Sequence, residues 1–235
     1  MPSDIPTKVE IAMKIDGSQQ LEAIKSRLNE IGIKNEKIQI VTEKNNKECR
    51  VVVETNSKPW IEIQETLQTF GEKRVALVGF SDQSAVAILD KGDDLNIKGV
   101  IRFCSISANK PGIVIDGVVD GIESPDDHFL SIYEYGDFSD GCHGLGNIYK
   151  DANYKLTSND SGSSTIRSVD HNLNIHELIG RSVAISKANE NIKFKGGIIS
   201  RAAGIFQNWK KFCACDGTTL WDERDRQTAI SGRNA

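Results

Sequence analysis

The sequence predicts an α+β protein in three parts: a βαββαβ domain over residues 1–80, an all-β domain over residues 81–207 and a short flexible tail over residues 208–235. Three observations predict this division. Apolar residues recur at helical spacing mainly before about residue 80, and short β-rich segments between Gly, Asp and Asn residues fill the middle of the chain. The tail has too few apolar side chains to build a core.

Six elements are predicted in the first domain from periodicity and from the residues that begin and end helices. In chain order they are a strand over 7–13, a helix over 21–31, strands over 38–41 and 49–53, a helix over 60–70 and a strand over 75–78. Ser18 is a candidate N-cap of the first helix and Gly32 its candidate end, while Pro59 and Gly71 flank the second. This order is that of the split ferredoxin-like motif.

The second domain contains short β-rich segments at the spacing of an all-β sandwich or barrel. The predicted strands cover 85–89, 100–106, 112–118, 129–135, 164–169, 182–186 and 197–199.

Composition excludes several function classes. The net charge is −4 without a basic block, which argues against nucleic-acid binding. No apolar run approaches the roughly 20 residues of a membrane span, and Met1 to Pro6 lacks the features of a secretory signal. The five cysteines are too sparse for a secreted disulfide framework. We therefore expect a cytoplasmic protein in which a close cysteine pair binds metal or exchanges disulfides.

Cys213 and Cys215 form the one close pair, separated by a single alanine. Two thiolates on an extended segment can hold one soft cation, and sulfur ligands select Cu(I). The same pair can attack a disulfide, since the thiolate is the nucleophile. Lys210 and Lys211 lie just upstream and favour the thiolate form. The pair is thus a candidate for both copper binding and disulfide transfer.

The surrounding residues carry a family resemblance. The stretches RAAGIFQN at 201–208 and CACDGTTLWDER at 213–224 resemble the C-terminal signature of copper chaperones for superoxide dismutase. In the middle domain, HFLSIYEYGD at 128–137 and LIGRS at 178–182 resemble superoxide dismutase segments. The resemblance covers residues 7 to 226 and implies a Greek-key, dismutase-like barrel for the second domain.

Departures from the dismutase pattern argue against a dismutase. The copper histidines of that family correspond here to Ser131, Tyr133 and Ser186, and the bridging histidine falls at or near Ile148. These side chains cannot replace imidazoles at a redox copper site. Only residues 149–160 stand where the enzymes have a long zinc loop, and none is His, so zinc binding is unlikely. His128, His143, His171 and His176 are expected to be structural or solvated.

The first domain departs from its own family pattern as well. Heavy-metal-associated domains carry M-x-C-x-x-C after the first strand, whereas Met13 is followed here by Ile15 and Ser18 at the two cysteine positions. Cys49 is expected to be a buried strand residue. The resemblance therefore implies a domain fold retained without its copper site, which leaves stability or docking to a copper source as its role.

Cys142 matches the loop cysteine that forms the dismutases' internal disulfide. Its partner would fall near Gly196, where there is no cysteine. Two alternatives remain open: a spare thiol, or a resolving thiol for Cys213 or Cys215.

In the dismutase family, the segments around YGD and IGR lie at the dimer interface. The resemblance therefore implies that Gly136, Asp137, Ile179, Gly180 and Arg181 contact an immature copper/zinc superoxide dismutase in a heterodimer. The same surface would also accept a second copy of this chain. Two other hypotheses are a dismutase-like enzyme with an altered metal site, and a metal-free module that binds the dismutase.

The tail also contains one large aromatic residue beyond the cysteine pair. Trp221 stands among polar residues, so we expect it to anchor the tail on a surface.

Overall fold

The computed structural model describes residues 5–43, 47–68, 75–107, 111–122, 128–187 and 193–208. It is mostly β-sheet with few helices, and none of the helices in these ranges is long and apolar enough to cross a membrane. The described chain divides into two compact units. The first comprises the residues up to Asp82 together with the segment that begins at Ala203, and the second comprises Gln83–Ala202.

The first unit contains one antiparallel sheet and two helices. Its elements are β1 (Thr7–Lys14), α1 (Gln20–Glu30), β2 (Ile38–Thr42), β3 (Glu48–Thr55), α2 (Trp60–Gln68) and β4 (Val75–Phe80), with a 3₁₀ turn at Asn35–Lys37. The strands are ordered β2-β3-β1-β4, so β1 lies between β3 and β4. The helices contact each other, and α2 also contacts β4. The strands and helices follow one another in the predicted order.

Both faces of this sheet are buried near β1. Val9, Ile11 and Met13 are fully buried and share one face, because successive strand residues point to opposite sides. Glu10 and Ala12 therefore lie on the other face, where Ala12 packs with Ala76 and Val78. An acidic side chain is thus placed in a buried position, which requires partners for its charge.

The ends of α1 differ in part from the prediction. The helix begins at Gln20 after Gln19, and no side chain caps it, so the assignment of Ser18 as N-cap is wrong. The Gln20 side-chain oxygen instead accepts a hydrogen bond from the Asp16 N–H at 3.1 Å. Gly32 has a φ of +89°, the left-handed conformation that commonly ends helices at glycine.

The second unit contains the remaining strands and one short helix. Its elements are β5 (Ser84–Ile88), β6 (Lys98–Ser105), β7 (Ile113–Asp120), β8 (His128–Tyr133), β9 (Ile148–Leu156), β10 (Ser163–Asp170), α3 (Ile175–Leu178), β11 (Ser182–Lys187), β12 (Lys193–Ile198) and β13 (Ser200–Arg201), with a 3₁₀ turn at His143–Leu145.

These strands form two sheets around one core. The first has the order β10-β7-β6-β5-β13 and the second the order β12-β11-β8-β9. Phe103 and Ile115 from the first sheet join Ile132 and Ile185 from the second in a single buried cluster. The all-β prediction is therefore confirmed at the level of strands and core. The strands of the described ranges do not close into a single barrel.

Strand β9 lies where the sequence suggested only a shortened loop. Two of its residues, Lys150 and Asp151, have φ values of +48° and +56°. Its pairing with β8 shifts register between Ser131 and Tyr133. The strand was missed because its sequence, IYKDANYKL, lacks the regular alternation of apolar and polar residues that identifies strands.

Candidate functional site

The backbones of Gly136 and Gly180 lie close together in the second unit. A β-carbon at Gly136 would stand 2.4 Å from the Gly180 carbonyl oxygen, so only glycine fits without a shift. Gly180 has a φ of +87°, and a β-carbon there would meet no atom within 4 Å. Its N–H donates to the Ile199 carbonyl at 2.9 Å. Two of the predicted interface residues are thus brought together, with the Gly180 surface exposed.

Arg181 connects the turn at Gly180 to two neighbouring segments by hydrogen bonds. Its Nε donates to the Glu177 carbonyl and its Nη1 to the Glu134 carbonyl, both at 2.7 Å. The guanidinium lies 3.6 Å from the centre of the Tyr149 ring, close enough for a cation–π interaction. The half-buried Arg181 side chain therefore joins the end of α3 to the segment that follows β8.

The Tyr135–Gly136–Asp137 segment is held by hydroxyl groups. Ser182 Oγ donates to the Tyr135 carbonyl at 2.5 Å. The Asp137 Oδ1 accepts from the Ser139 N–H at 2.9 Å and from Ser139 Oγ at 2.6 Å. These hydrogen bonds lower the pKa of Asp137 because they favour the charged form. Asp137 therefore presents a fixed negative charge on the surface.

Exposed apolar side chains lie next to Gly136. Tyr135 is 59% exposed and Ile198 42%, and a β-carbon at Gly136 would lie 3.6 Å from the Ile198 side chain. Ile148, 40% exposed, is paired with Tyr133, two residues before Tyr135. Large apolar residues grouped on a surface mark contact sites. We call Tyr135, Gly136, Gly180 and Ile198 the glycine patch.

The sequence had pointed to the glycines of this patch but not to its apolar rim. Ile198 looks like an ordinary strand residue, and its exposure depends on which strand ends meet. Ile179 is half-buried and packs against the core of the unit. It also lines an open cavity of about 540 Å³, together with His176 and Arg201.

The residues expected at the dismutase copper-ligand positions carry hydroxyl groups. We call Ser131, Tyr133 and Ser186 the hydroxyl cluster. Ser131 Oγ donates to Asn153 Oδ1 at 2.6 Å. Burial raises the pKa of Tyr133, and hydrogen bonding with the side chains of Ser186 and Ser131 acts in the opposite direction. A neutral phenol and two hydroxyls are poor ligands for copper.

Cys142 lies beside this hydroxyl cluster. It packs with Tyr133, Leu145 and Ala184 and carries a free thiol. Burial raises its pKa, while the positive charge of Lys193 acts in the opposite direction. A protonated, buried thiol is a slow nucleophile. A β-carbon at Gly196 would meet Val183, Ala184 and Phe138 as its nearest neighbours, so Gly196 is fixed by packing.

The histidines do not assemble a metal site in the described ranges. His128 is buried beside the Phe194 ring, whose centre is 6.0 Å from its own. His143, His171 and His176 are exposed and lie on separate elements. The described part of the chain contains no group of three or more His, Cys, Asp or Glu residues able to hold a metal ion.

The two positions of the first unit at which the copper motif's cysteines were expected differ in exposure. Ile15, at the first cysteine position, is buried, while Ser18, at the second, is exposed. Cys49 stands opposite Met13 in the sheet. Burial raises the pKa of Cys49 to about 12, so its thiol stays protonated at neutral pH. Cys213, Cys215 and Trp221 lie outside the described residues, which end at Asn208.

The known proteins that resemble this chain along most of its length are named copper chaperones for superoxide dismutase. A copper chaperone for superoxide dismutase from Rattus norvegicus is 30% identical over 86% of this chain and 83% of its own length. The human protein of that name is 30% identical over 79% of this chain and 80% of its own. A chloroplastic one from Oryza sativa subsp. japonica is 29% identical over 93% of this chain and 71% of its own. No protein-family model matches.

Among solved structures, superoxide dismutase 5 of Candida albicans aligns with 50% of this chain and 91% of its own. The sequence identity is 18% and the TM-score is 0.42.

Proposed function

The chain belongs to the family of copper chaperones for superoxide dismutase, and from that premise we propose that it docks on immature copper/zinc superoxide dismutase, delivers Cu(I) and promotes the internal disulfide of that enzyme. Docking would use the glycine patch, and delivery would use Cys213 and Cys215. The dismutase is therefore the partner, in a heterodimer.

The observation that carries this proposal is the glycine patch itself. A β-carbon at Gly136 would stand 2.4 Å from the Gly180 carbonyl oxygen. The rim residues Tyr135 and Ile198 are exposed. Arg181 and Asp137 fix the edges of the patch through hydrogen bonds. A rigid apolar patch with little side chain at its centre allows a second backbone to approach closely. A chain that keeps this surface can replace one subunit of a two-fold dimer.

The hydroxyl cluster favours a chaperone over an enzyme. With hydroxyl groups and no imidazole at Ser131, Tyr133 and Ser186, this unit would not compete for the copper that the tail carries. We propose copper, as Cu(I), for the cargo and no resident zinc. The relatives are named chaperones, and we assign no dismutase activity to this chain.

Cu(I) would move from Cys213 and Cys215 to the target by ligand exchange, without a change in its oxidation state. Disulfide transfer is a separate reaction. A target thiolate attacks a Cys213–Cys215 disulfide and forms a mixed disulfide, and the second target thiolate then displaces the chaperone. The target dithiol loses two electrons and two protons, and the two chaperone sulfurs gain them. The starting tail disulfide is formed beforehand by a two-electron oxidant, molecular oxygen, which takes up two electrons and two protons from the tail thiols.

The finer assignments of the sequence remain part of the proposal. We assign residues 1–80 to a ferredoxin-like, heavy-metal-associated domain without its metal motif, residues 81–207 to a dismutase-like Greek-key domain, and residues 208–235 to a flexible copper and redox tail anchored by Trp221. We further propose a cytoplasmic location and a homodimer through the glycine patch when the dismutase is absent.

One reconstitution experiment tests the function. Apo-dismutase is incubated with the Cu(I)-loaded protein and a competing copper chelator, and dismutase activity is followed. We expect activation by the wild-type chain and none by a Cys213→Ser/Cys215→Ser variant. Equal activation by both would favour a metal-free binding module. Dismutase activity of this chain without the target would favour an altered enzyme.

A further inference from the structure

The segment from Ala203 to Asn208 leads directly to the cysteine pair and lies on the sheet of the first unit. The Phe80 N–H donates to the Ala203 carbonyl at 3.1 Å. The segment then passes Gly79, where a β-carbon would stand 2.8 Å from the Gly204 carbonyl oxygen. The sheet surface thus has room for this backbone only because position 79 lacks a side chain.

A buried ion pair holds the far end of the segment. The side chains of Glu10 and Arg50 are 0% and 6% exposed, and Glu10 Oε1 accepts from Arg50 Nη1 at 3.0 Å. The other oxygen, Oε2, accepts from the Phe206 N–H at 2.7 Å. Arg50 Nη1 also donates to the Asn208 carbonyl at 2.9 Å.

The Arg50 donor on the sheet faces the Asn208 carbonyl of the segment, and the Glu10 acceptor faces the Phe206 N–H. A buried charge pair is costly unless the remaining hydrogen-bonding positions are satisfied, and here the backbone of 206–208 satisfies two of them. Phe206 adopts a φ of +58°, which is uncommon for a bulky residue and is held by the surrounding contacts. The segment is therefore bound in one specific conformation.

We propose that Glu10 and Arg50 are positioning residues that fix the root of the C-x-C tail, so that the first domain, without a copper motif of its own, sets where Cys213 and Cys215 can reach. The proposal rests on the proposed function of that cysteine pair. Cys213 lies five positions after Asn208, with four residues between them, and a chain extends at most about 3.6 Å per residue. The anchor thus limits the Cα of Cys213 to within about 18 Å of the Cα of Asn208.

Confining the root of the tail restricts the volume that its sulfurs sample, and a tether of limited reach sets their effective concentration at a site within that reach. Loss of the anchor would enlarge the volume that the sulfurs sample, and the transfer step would slow. Binding of Cu(I) by the two sulfurs, and docking through the glycine patch, would not change. A role in transfer rate is therefore separable from roles in copper affinity and partner affinity.

Two variants of the full-length chain break the anchor from opposite sides. Arg50→Met removes the donor to Asn208. Phe206→Pro removes the N–H that binds Glu10, and it excludes the observed φ because proline is confined near −65°. Arg167→Met is the matched control, since Arg167 forms a comparable buried pair with Asp116 in the second unit, at 2.5 Å and 7% and 0% exposure.

A charge-reversal variant, Glu10→Arg/Arg50→Glu, separates anchoring from simple ion pairing. It keeps opposite charges together, but it places a donor against the Phe206 N–H and an acceptor against the Asn208 carbonyl. If the pair serves only the stability of the sheet, this variant should fold and transfer copper like the wild type. If the pair anchors the tail, the variant should fold but transfer copper slowly.

The measurement is single-turnover transfer of Cu(I) to apo-dismutase at saturating target, with copper stoichiometry and target affinity determined in parallel. We expect Arg50→Met, Phe206→Pro and the charge reversal to slow transfer roughly tenfold, with both affinities unchanged, and Arg167→Met to transfer at the wild-type rate. Wild-type rates for Phe206→Pro or for the charge reversal would overturn the anchoring role. If Cys213→Ser/Cys215→Ser also transfers normally, the proposed function itself fails.

Discussion

The Gly180 carbonyl oxygen occupies the place that a side chain at Gly136 would need, at 2.4 Å from the ideal β-carbon position. This contact brings together two segments that lie 44 residues apart in the sequence (180 minus 136). It makes glycine necessary at position 136, at the centre of the glycine patch. The first prediction concerns this patch.

Gly180→Glu should weaken association with the dismutase about 30-fold or more, since an unpaired carboxylate in an interface costs about 2–5 kcal/mol. The substitution leaves room for the side chain in the free protein, although the backbone conformation becomes strained. Size-exclusion chromatography measures association, and circular dichroism measures the fold.

Gly32→Glu provides a matched control for that experiment. Gly32 has a φ of +89° against +87° for Gly180, and neither β-carbon would meet an atom within 4 Å. The backbone strain is therefore alike, but Gly32 lies in the first unit. The interface hypothesis requires the Gly32→Glu variant to associate normally. Equal loss of binding in both variants would attribute the effect to strain and not to the patch.

Tight Cu(I) binding should depend on Cys213 and Cys215 alone. Cys49, with a pKa of about 12, stays protonated at neutral pH, and the motif around Met13 has no thiol. The Cys213→Ser/Cys215→Ser variant should lose about one equivalent of Cu(I) in equilibrium dialysis, whereas Cys49→Ser should retain it. Tight copper in the double variant would place a further site elsewhere in the chain.

The protein loaded with copper and zinc should not dismute superoxide above the background of the free metals. Ser131, Tyr133 and Ser186 carry hydroxyl groups and offer no imidazole for a redox copper. The assay compares the loaded chain with copper in buffer at equal concentration. A rate near that of an authentic dismutase would mean that the ligands lie elsewhere.

Each single substitution, Cys213→Ser or Cys215→Ser, should abolish disulfide formation in the target, because exchange needs both sulfurs. A tail with one cysteine cannot form the Cys213–Cys215 disulfide that a target thiolate attacks, so the target should stay reduced. Cys142→Ser should leave the reaction unchanged, since burial raises the pKa of that thiol. Non-reducing gels read all three variants. Fully oxidised target with both tail variants would show that the tail is not the redox element and would make Cys142 the candidate.

Trp221→Ala should slow copper transfer several-fold without removing copper from the protein. A large aromatic side chain in a polar tail contributes apolar contact area to whatever surface it meets. Transfer rate and copper stoichiometry are measured on the same preparation. Trp221→Phe keeps the apolar ring and serves as the control. Equal rates for the alanine variant and the wild type would show that the ring is not an anchor.

The sequence by itself determined which chemical groups the chain offers at each position. The order of strands and helices in the first domain followed from the spacing of apolar residues, which reports contacts within a few residues. The expectation that the family's metal ligands are missing also came from the sequence, because a hydroxyl at Ser131 or an aliphatic chain at Ile15 has the same chemistry in any fold. The cysteine pair identified the candidate copper site in the same way.

The tertiary structure alone decided which distant residues meet. Glu10 and Phe206 are 196 positions apart, and no local pattern links a strand carboxylate to a backbone N–H near the tail. The exposure of Ile198 and the pairing of β9 with β8 likewise depend on how sheets end and shift register. Periodicity specifies the face on which a residue lies. The partner across that face is chosen by the packing of the whole unit, which minimises buried unpaired charge and empty space.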